Sequence, residues 1–217
     1  MTQDAVKLSA VIGPAFYEVH KALKQQNFVY YFLKGGRGSL KSSFVSIEII
    51  LGMMQDEAAN AVALRKVGVN LAESVYEQLK WAISMLGVDH LWKEKLSPLE
   101  LEYLPTGQKI KFRGADKPKK IKSTKFSKGY CKYLWYEECD EFQGMEEIRV
   151  INQSLMRGGD AFTVFYTYNP PKSARNWVNE EVLTERPGRM VHHSTYLQAP
   201  PEWLGAQFIA DAEDLKK

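Results

Sequence analysis

The chain is short of several things, and each shortage excludes a class of protein. Its 217 residues hold only two cysteines, Cys131 and Cys139, eight positions apart. With no second pair at ligand spacing, they make neither a zinc site nor a disulfide scaffold, and a reduced intracellular pair is expected. No apolar run approaches the roughly 18 residues that a membrane-spanning helix requires. The opening "MTQDAVKLSAVIGPAF" lacks a basic region followed by a continuous apolar segment, so no secretory leader is expected. There is no internal repeat and no long linker. Charge of either sign is nearly balanced: a net +3 permits contact with nucleic acid without arguing for it. These absences leave one soluble intracellular domain over 1–217, with a helical segment at about 1–27.

What the chain has is an alternation of strands and helices. Pro14 to about Gln26 carries Phe16, Val19, His20 and Leu23 at helical spacing, and proline is tolerated in a first turn. Phe28–Leu33 is a short aromatic-rich strand, and Ser42 to about Asp56 is apolar enough for a buried helix. "NAVALRKV" is a second strand, and Leu71–Leu86 an amphipathic helix stopped by Gly87. "LELEYLPTGQKIKF" alternates about a Pro-Thr-Gly turn, which signals a hairpin. Strands follow at "YCKYLWYEE", "AFTVFYTYNPP" and "MVHHSTYL", with helices at Glu146–Met156 and Ala174–Thr184. This pattern predicts an α/β fold with a mostly parallel central sheet flanked by helices and a local antiparallel addition.

Between the first strand and its helix lies "KGGRGSLKSS". Gly35, Gly36 and Gly38 let the backbone curl around an anion, Lys41 supplies charge, and the Ser42 hydroxyl can ligate magnesium. A Gly-x5-Lys-Ser/Thr match arises by chance about 0.1 times in a chain this long, so the loop alone decides little. Leu40 stands where a third glycine is usual. At positive φ it would cost on the order of 1–3 kcal/mol, and the sequence leaves its conformation open.

Roughly 100 residues on, "LWYEECDE" is an apolar strand ending in Glu137 and Glu138. Consecutive residues at a strand end point in different directions, so Glu137 can serve a magnesium ion and Glu138 an attacking water. Asn169, in "YTYNPP", ends another strand and can contact a terminal phosphate or the water.

These pieces, with "GADKPKKIKS" and "HHSTYLQAPPEWLG", resemble the ATPase domain of the tailed-phage terminase large subunit, the motor that packages DNA into procapsids. The arginine within "GGRGS" and the glutamate pair are the specific marks. The resemblance implies a P-loop NTPase fold of the additional-strand, catalytic-glutamate type, with ATP and Mg2+ as cofactors. Implied nucleotide contacts are Gly35, Gly36, Arg37, Gly38, Ser39, Leu40, Lys41, Ser42, Ser43 and Asn169. Implied metal ligands are Ser42 and Glu137, and implied catalytic groups are Glu138, Arg37 and Lys41. Expected partners are double-stranded DNA, a portal protein, a small terminase subunit and a ring of identical copies, in the cytoplasm of an infected bacterium. The last residues, about 205–217, are expected to begin a link to a nuclease domain, and no nuclease residues are assigned.

Two readings compete with a motor. One is another P-loop enzyme, a kinase or a helicase-like ATPase. The other is a nucleotide-binding assembly module with weak or no hydrolysis. "KPKKIKSTKFSK" holds six lysines and reads either as a solvated loop or as a contact for a phosphate backbone. His192 and His193 are read as strand residues without chemistry, and the five tryptophans as core or interface.

Overall fold

The computed structural model describes residues 6–215; residues 1–5 and 216–217 of the expected domain lie outside the described residues. Two 3-10 turns, Leu8–Ala10 and Pro14–Phe16, lead into helix α1, Tyr17–Lys24. Then come β1 (Tyr30–Gly35), α2 (Lys41–Gln55) and β2 (Ala59–Arg65). A π-helical turn, Ala72–Tyr76, runs into α3 (Glu77–Met85). Strands β3 (Trp92–Leu96), β4 (Leu99–Tyr103) and β5 (Gln108–Gly114) follow, then α4 (Pro118–Lys122) and β6 (Tyr130–Glu137). The chain continues through α5 (Met145–Leu155), β7 (Thr163–Tyr168), α6 (Trp177–Glu181) and β8 (Arg189–Ser194). It closes with α7 (Pro201–Leu204) and α8 (Ala206–Asp214).

The eight strands form one sheet in the order β3-β4-β5-β2-β6-β7-β1-β8. The pairs β3–β4 and β4–β5 are antiparallel and every other pair is parallel. Parallel pairing requires a crossover, and the crossovers cover both faces. Alternate residues of β6 show this: Tyr133 and Trp135 pack with α1, α2 and α3, whereas Leu134 and Tyr136 pack with α5. On the second face Tyr136 and Tyr166 stack with ring centroids 5.2 Å apart. The buried Asn152 amide joins their hydroxyls: it accepts from Tyr136 Oη at 2.6 Å and donates to Tyr166 Oη at 3.1 Å. The floor of the sheet is thereby tied together by polar bonds that have no access to water.

Helix α2 is buried on most of its circumference, as its apolar sequence predicts. Its two buried polar residues are satisfied: Ser46 Oγ donates to Ser43 O at 2.9 Å, and Glu48 Oε1 lies 2.6 Å from His20 Nδ1.

Three elements differ from the sequence-based expectation. The hairpin gains a third strand, β3, whose "WKEKL" is exposed after Trp92 and so has no alternating apolar signal. The helix expected over Ala174–Thr184 shrinks to Trp177–Glu181, capped by the Asn176 side chain, which accepts from Val178 N at 3.0 Å. The final strand stops at Ser194, because Thr195 and Gln198 form a reciprocal capping box around the turn Tyr196–Gln198. Cys131 and Cys139 are both buried and free.

Candidate functional site

The site is assembled at the carboxyl ends of neighbouring parallel strands. Strand register aligns Lys34 of β1 with Tyr168 of β7, and Glu137 of β6 with Thr167 of β7. The glycine loop, the acid pair and Asn169 therefore leave the sheet side by side, where ligands of open α/β sheets gather.

The loop itself is built from two tight approaches. A Cβ on Gly35 would collide with Ser194 O and fall 2.5 Å from Ser39 Oγ, so only glycine fits beside β8. Gly38 has φ +71°, and a Cβ there would strike the Phe208 ring of α8 at 2.5 Å. Leu40 does take the left-handed conformation, φ 62° and ψ 11°. Its side chain drops onto Gly13, whose own added Cβ would lie 2.9 Å from Leu40 Cδ1. Burial of an isobutyl group against the N-terminal segment offsets the strain that the backbone carries there. Lys41, Ser42 and Ser43 are partly exposed in the first turn of α2, and Arg37 is exposed. Ser39 is buried, and its hydroxyl has no hydrogen-bond partner.

Lys41 Nζ donates to Asn169 Oδ1 at 2.8 Å and to Gly36 O at 3.4 Å, closing the loop against β7. Burial lowers its pKa to about 8, against the upward pull of Glu137 and Asp140. Burial likewise raises the Glu137 carboxyl above its ordinary value, opposed first by Arg65, then by Ser74 and Lys41. Asp140 is pushed up by burial as well.

The two glutamates converge rather than diverge. Glu138 leaves β6 in the left-handed region, φ 49°, which swings its carboxylate back toward β2. There it forms an ion pair with Arg65 Nη2, while Glu137 Oε2 lies 3.6 Å from Arg65 Nε and Glu141 Oε2 4.0 Å from Nη2. Arg65 is 7% exposed and also donates from Nη1 to Ser74 Oγ at 3.3 Å. This arginine was missed in the sequence. The available signal was an apolar strand, "NAVALR", ending in a guanidinium at the same sheet edge as four acids.

Beside the loop lies a cavity of about 400 Å3, walled by Gly13, Leu40, Phe44, Trp81, Met85 and Trp203 among others. It is mostly apolar, and it opens against Ser43 at the start of α2. Among the described residues no three His, Cys, Asp or Glu side chains are grouped to hold a metal ion. That is compatible with magnesium, which is held by one or two carboxylates plus substrate phosphates. Glu137 Oε2 is buried without a hydrogen-bond partner, an acceptor that a cation would satisfy.

A glycine loop running from strand β1 into a helix, with a carboxylate pair at the end of β6, parallel to β1 and separated from it by β7, defines a P-loop nucleotide-binding fold. Comparison with known proteins gives the family. The model of the phage terminase large subunit matches residues 27–217. The large terminase subunit of Bacillus phage SPP1 is 44% identical over 218 residues, covering 98% of this chain and 51% of that protein. The PBSX phage terminase large subunit of Bacillus subtilis is 32% identical over 55% of this chain and 27% of that protein. Among solved structures, the large terminase of a thermophilic bacteriophage superposes with TM-score 0.71 at 12% identity, over 93% of this chain and 49% of that one. The chain belongs to the phage terminase large subunit family. It spans about half the length of the curated relatives it matches most fully.

Proposed function

We propose that the chain is the ATPase motor of a terminase large subunit, hydrolysing ATP to drive double-stranded DNA into a procapsid. The observation that carries this is the closed constellation of Lys41, Asn169, Glu137 and Glu138 at adjoining strand ends. The large terminase of the same thermophilic phage has been solved in complex with ATP-gamma-S, at TM-score 0.68 and 12% identity to this chain.

In this reading the backbone N–H groups of 35–43 and the start of α2 cradle the phosphates. Lys41 neutralises the terminal phosphates, exchanging its bond to Asn169 for them. Ser42 and Glu137 would hold Mg2+, which would neutralise charge developing on the phosphates. Glu138, once off Arg65, orients and deprotonates the attacking water. Arg37 is free to reach the terminal phosphate as a transition-state cation. The apolar cavity between Leu40, Trp81 and Trp203 takes the base. Asn169 reports phosphate loss, since its partner Lys41 is the group that responds to the phosphate. The partners in this role are DNA bound without regard to sequence, a portal protein, a small terminase subunit and a ring of like subunits, in the host cytoplasm.

Mg2+-dependent phosphate release from ATP tests the reading, comparing the wild-type chain with Glu138→Gln. Turnover that disappears in the variant while nucleotide binding persists supports it. Nucleotide binding without turnover in either would favour the assembly module.

A further inference from the structure

The six lysines of 117–128 take no part in the nucleotide site, yet the segment that carries them is built rather than loose. Its inward groups are spent on the fold. Ile121 of α4 is buried. Lys111 Nζ donates to Lys125 O at 2.5 Å and lies 4.9 Å from the Phe126 ring centroid. Arg113 Nε donates to Thr124 Oγ1 at 2.9 Å, and Asn60 Nδ2 to Lys128 O at 2.8 Å. Those bonds pin the backbone and leave Lys117, Lys119, Lys120, Lys122, Lys125 and Lys128 exposed. Among the described residues, the one ion pair that any of the six makes is Lys128 with Glu57, at 3.6 Å. The neighbouring Asp116 is already engaged, accepting from Gly68 N at 3.0 Å.

Their placement gives the cluster a direction. β5 and β6 both run parallel to β2, so the segment starts at the nucleotide end of the sheet and returns to the opposite end. The eight residues of β6 set that height at about 26 Å. At the far end the stripe borders a groove of about 320 Å3 between Lys122, Lys125 and the end of α5, where Ser154 and Arg157 form the other wall. A duplex carries one charge per roughly 1.7 Å of axis with both strands counted, so the length of duplex beside a stripe of this height carries about 15 phosphate charges in all, of which one face meets a part.

We infer that this face, Lys117–Lys128 with Arg157, is the surface along which double-stranded DNA lays its phosphate backbone. The inference rests on the reading of the chain as a DNA-translocating ATPase and names the contact surface for that partner. Lysines on a five-residue helix and a loop are flexible point charges. They suit phosphates, and they lack the planar paired donors that read base edges.

The test is fluorescence anisotropy on labelled duplexes of two unrelated sequences, across a salt series. The wild-type chain is compared with a Lys119→Gln/Lys122→Gln/Lys125→Gln variant and with the matching triple Lys→Arg variant. The glutamine variant should bind both duplexes about tenfold or more weaker, with a log–log salt slope shallower by about 3. The arginine variant should keep the wild-type slope. Thermal melting and DNA-free phosphate release should be unchanged in both, since none of the three residues touches the nucleotide site. Equal affinity and slope in the glutamine variant overturns the surface, as does failure of the wild-type chain to bind duplex. So does preferential binding of polyglutamate, which would indicate an acidic protein partner. Weaker binding by the glutamine variant, where the wild-type chain binds duplex but shows no ATP turnover, would keep the surface and remove the motor reading instead.

Discussion

Arg65 and Glu138, 73 positions apart, meet as an ion pair across β2 and β6. Glu138, the proposed catalytic base, is engaged by a nearly buried guanidinium that also faces Glu137 and Glu141. In the proposed mechanism Glu138 acts on the attacking water, so turnover would require that the pair open.

Replacing Arg65 with Gln should therefore do two things. It strips the buried Glu137 of its main counter-charge, costing about 2 kcal/mol or more in chemical denaturation. It also lets the Glu137 carboxyl rise further, so the acidic limb of Mg2+-dependent phosphate release moves to higher pH. Arg65→Lys should restore much of both. An acidic limb unmoved in Arg65→Gln would remove Arg65 from the electrostatics of the site.

Glu137 is held at a cost to stability. Its folded-state pKa is raised, so its contribution favours the folded chain at acid pH and is lost as pH rises through the folded value. Glu137→Gln is expected to stabilise the nucleotide-free chain by about 0.5–2 kcal/mol at neutral pH, while turnover is lost. The gain should shrink toward pH 4. Melting curves at two pH values suffice, and a destabilised Glu137→Gln at pH 7 would contradict the expectation.

Lys41 makes a prediction of opposite sign for binding and for folding. With its folded pKa at about 8, nucleotide affinity should fall as pH rises through that value, because the ammonium is lost. Over the same range and up to the ordinary lysine value, the nucleotide-free chain should gain stability, because the unfolded chain holds the extra proton. Titrating a nucleotide by calorimetry between pH 7 and 9, beside urea melts, checks both. Lys41→Arg should flatten the affinity profile.

Leu40 can be separated into backbone and side chain. Leu40→Ala keeps a Cβ at φ 62° and gives up the contact with Gly13, whereas Leu40→Gly gives up the contact and relieves the strain. The glycine variant should be the more stable of the two, by about 1–2 kcal/mol in urea. The reverse order would mean that the left-handed turn at residue 40 carries no strain.

The parts of the site legible in the sequence are those whose chemistry is contiguous. The glycine loop, the acid pair after "LWY" and Asn169 after "YTY" each carry their own signal, and the fold brings them to one edge. The strand-end guanidinium of Arg65 is visible in "NAVALR", but its meaning depends on which strands are neighbours, and the sheet order is not written in any local segment. Strand β3 was missed because a charged edge strand alternates nothing against water. The conformation of Leu40 is left open by the sequence and set by the backbone, which takes φ 62° there. The short helices α7 and α8, broken by prolines and Gly205, gave no periodic face to read, although Trp203 and Phe208 reach the nucleotide side of the fold.

The seat of Phe208 on Gly38 has a mechanical meaning. The phosphate loop is clasped from inside by Lys41 and pressed from outside by the tail of the chain. Two such contacts on one short loop cannot be independent: whatever ligand binding does to the seat, displacement of the seat must do to ligand affinity, by the same free energy. A displacement of Phe208 on α8 is thus felt at the loop.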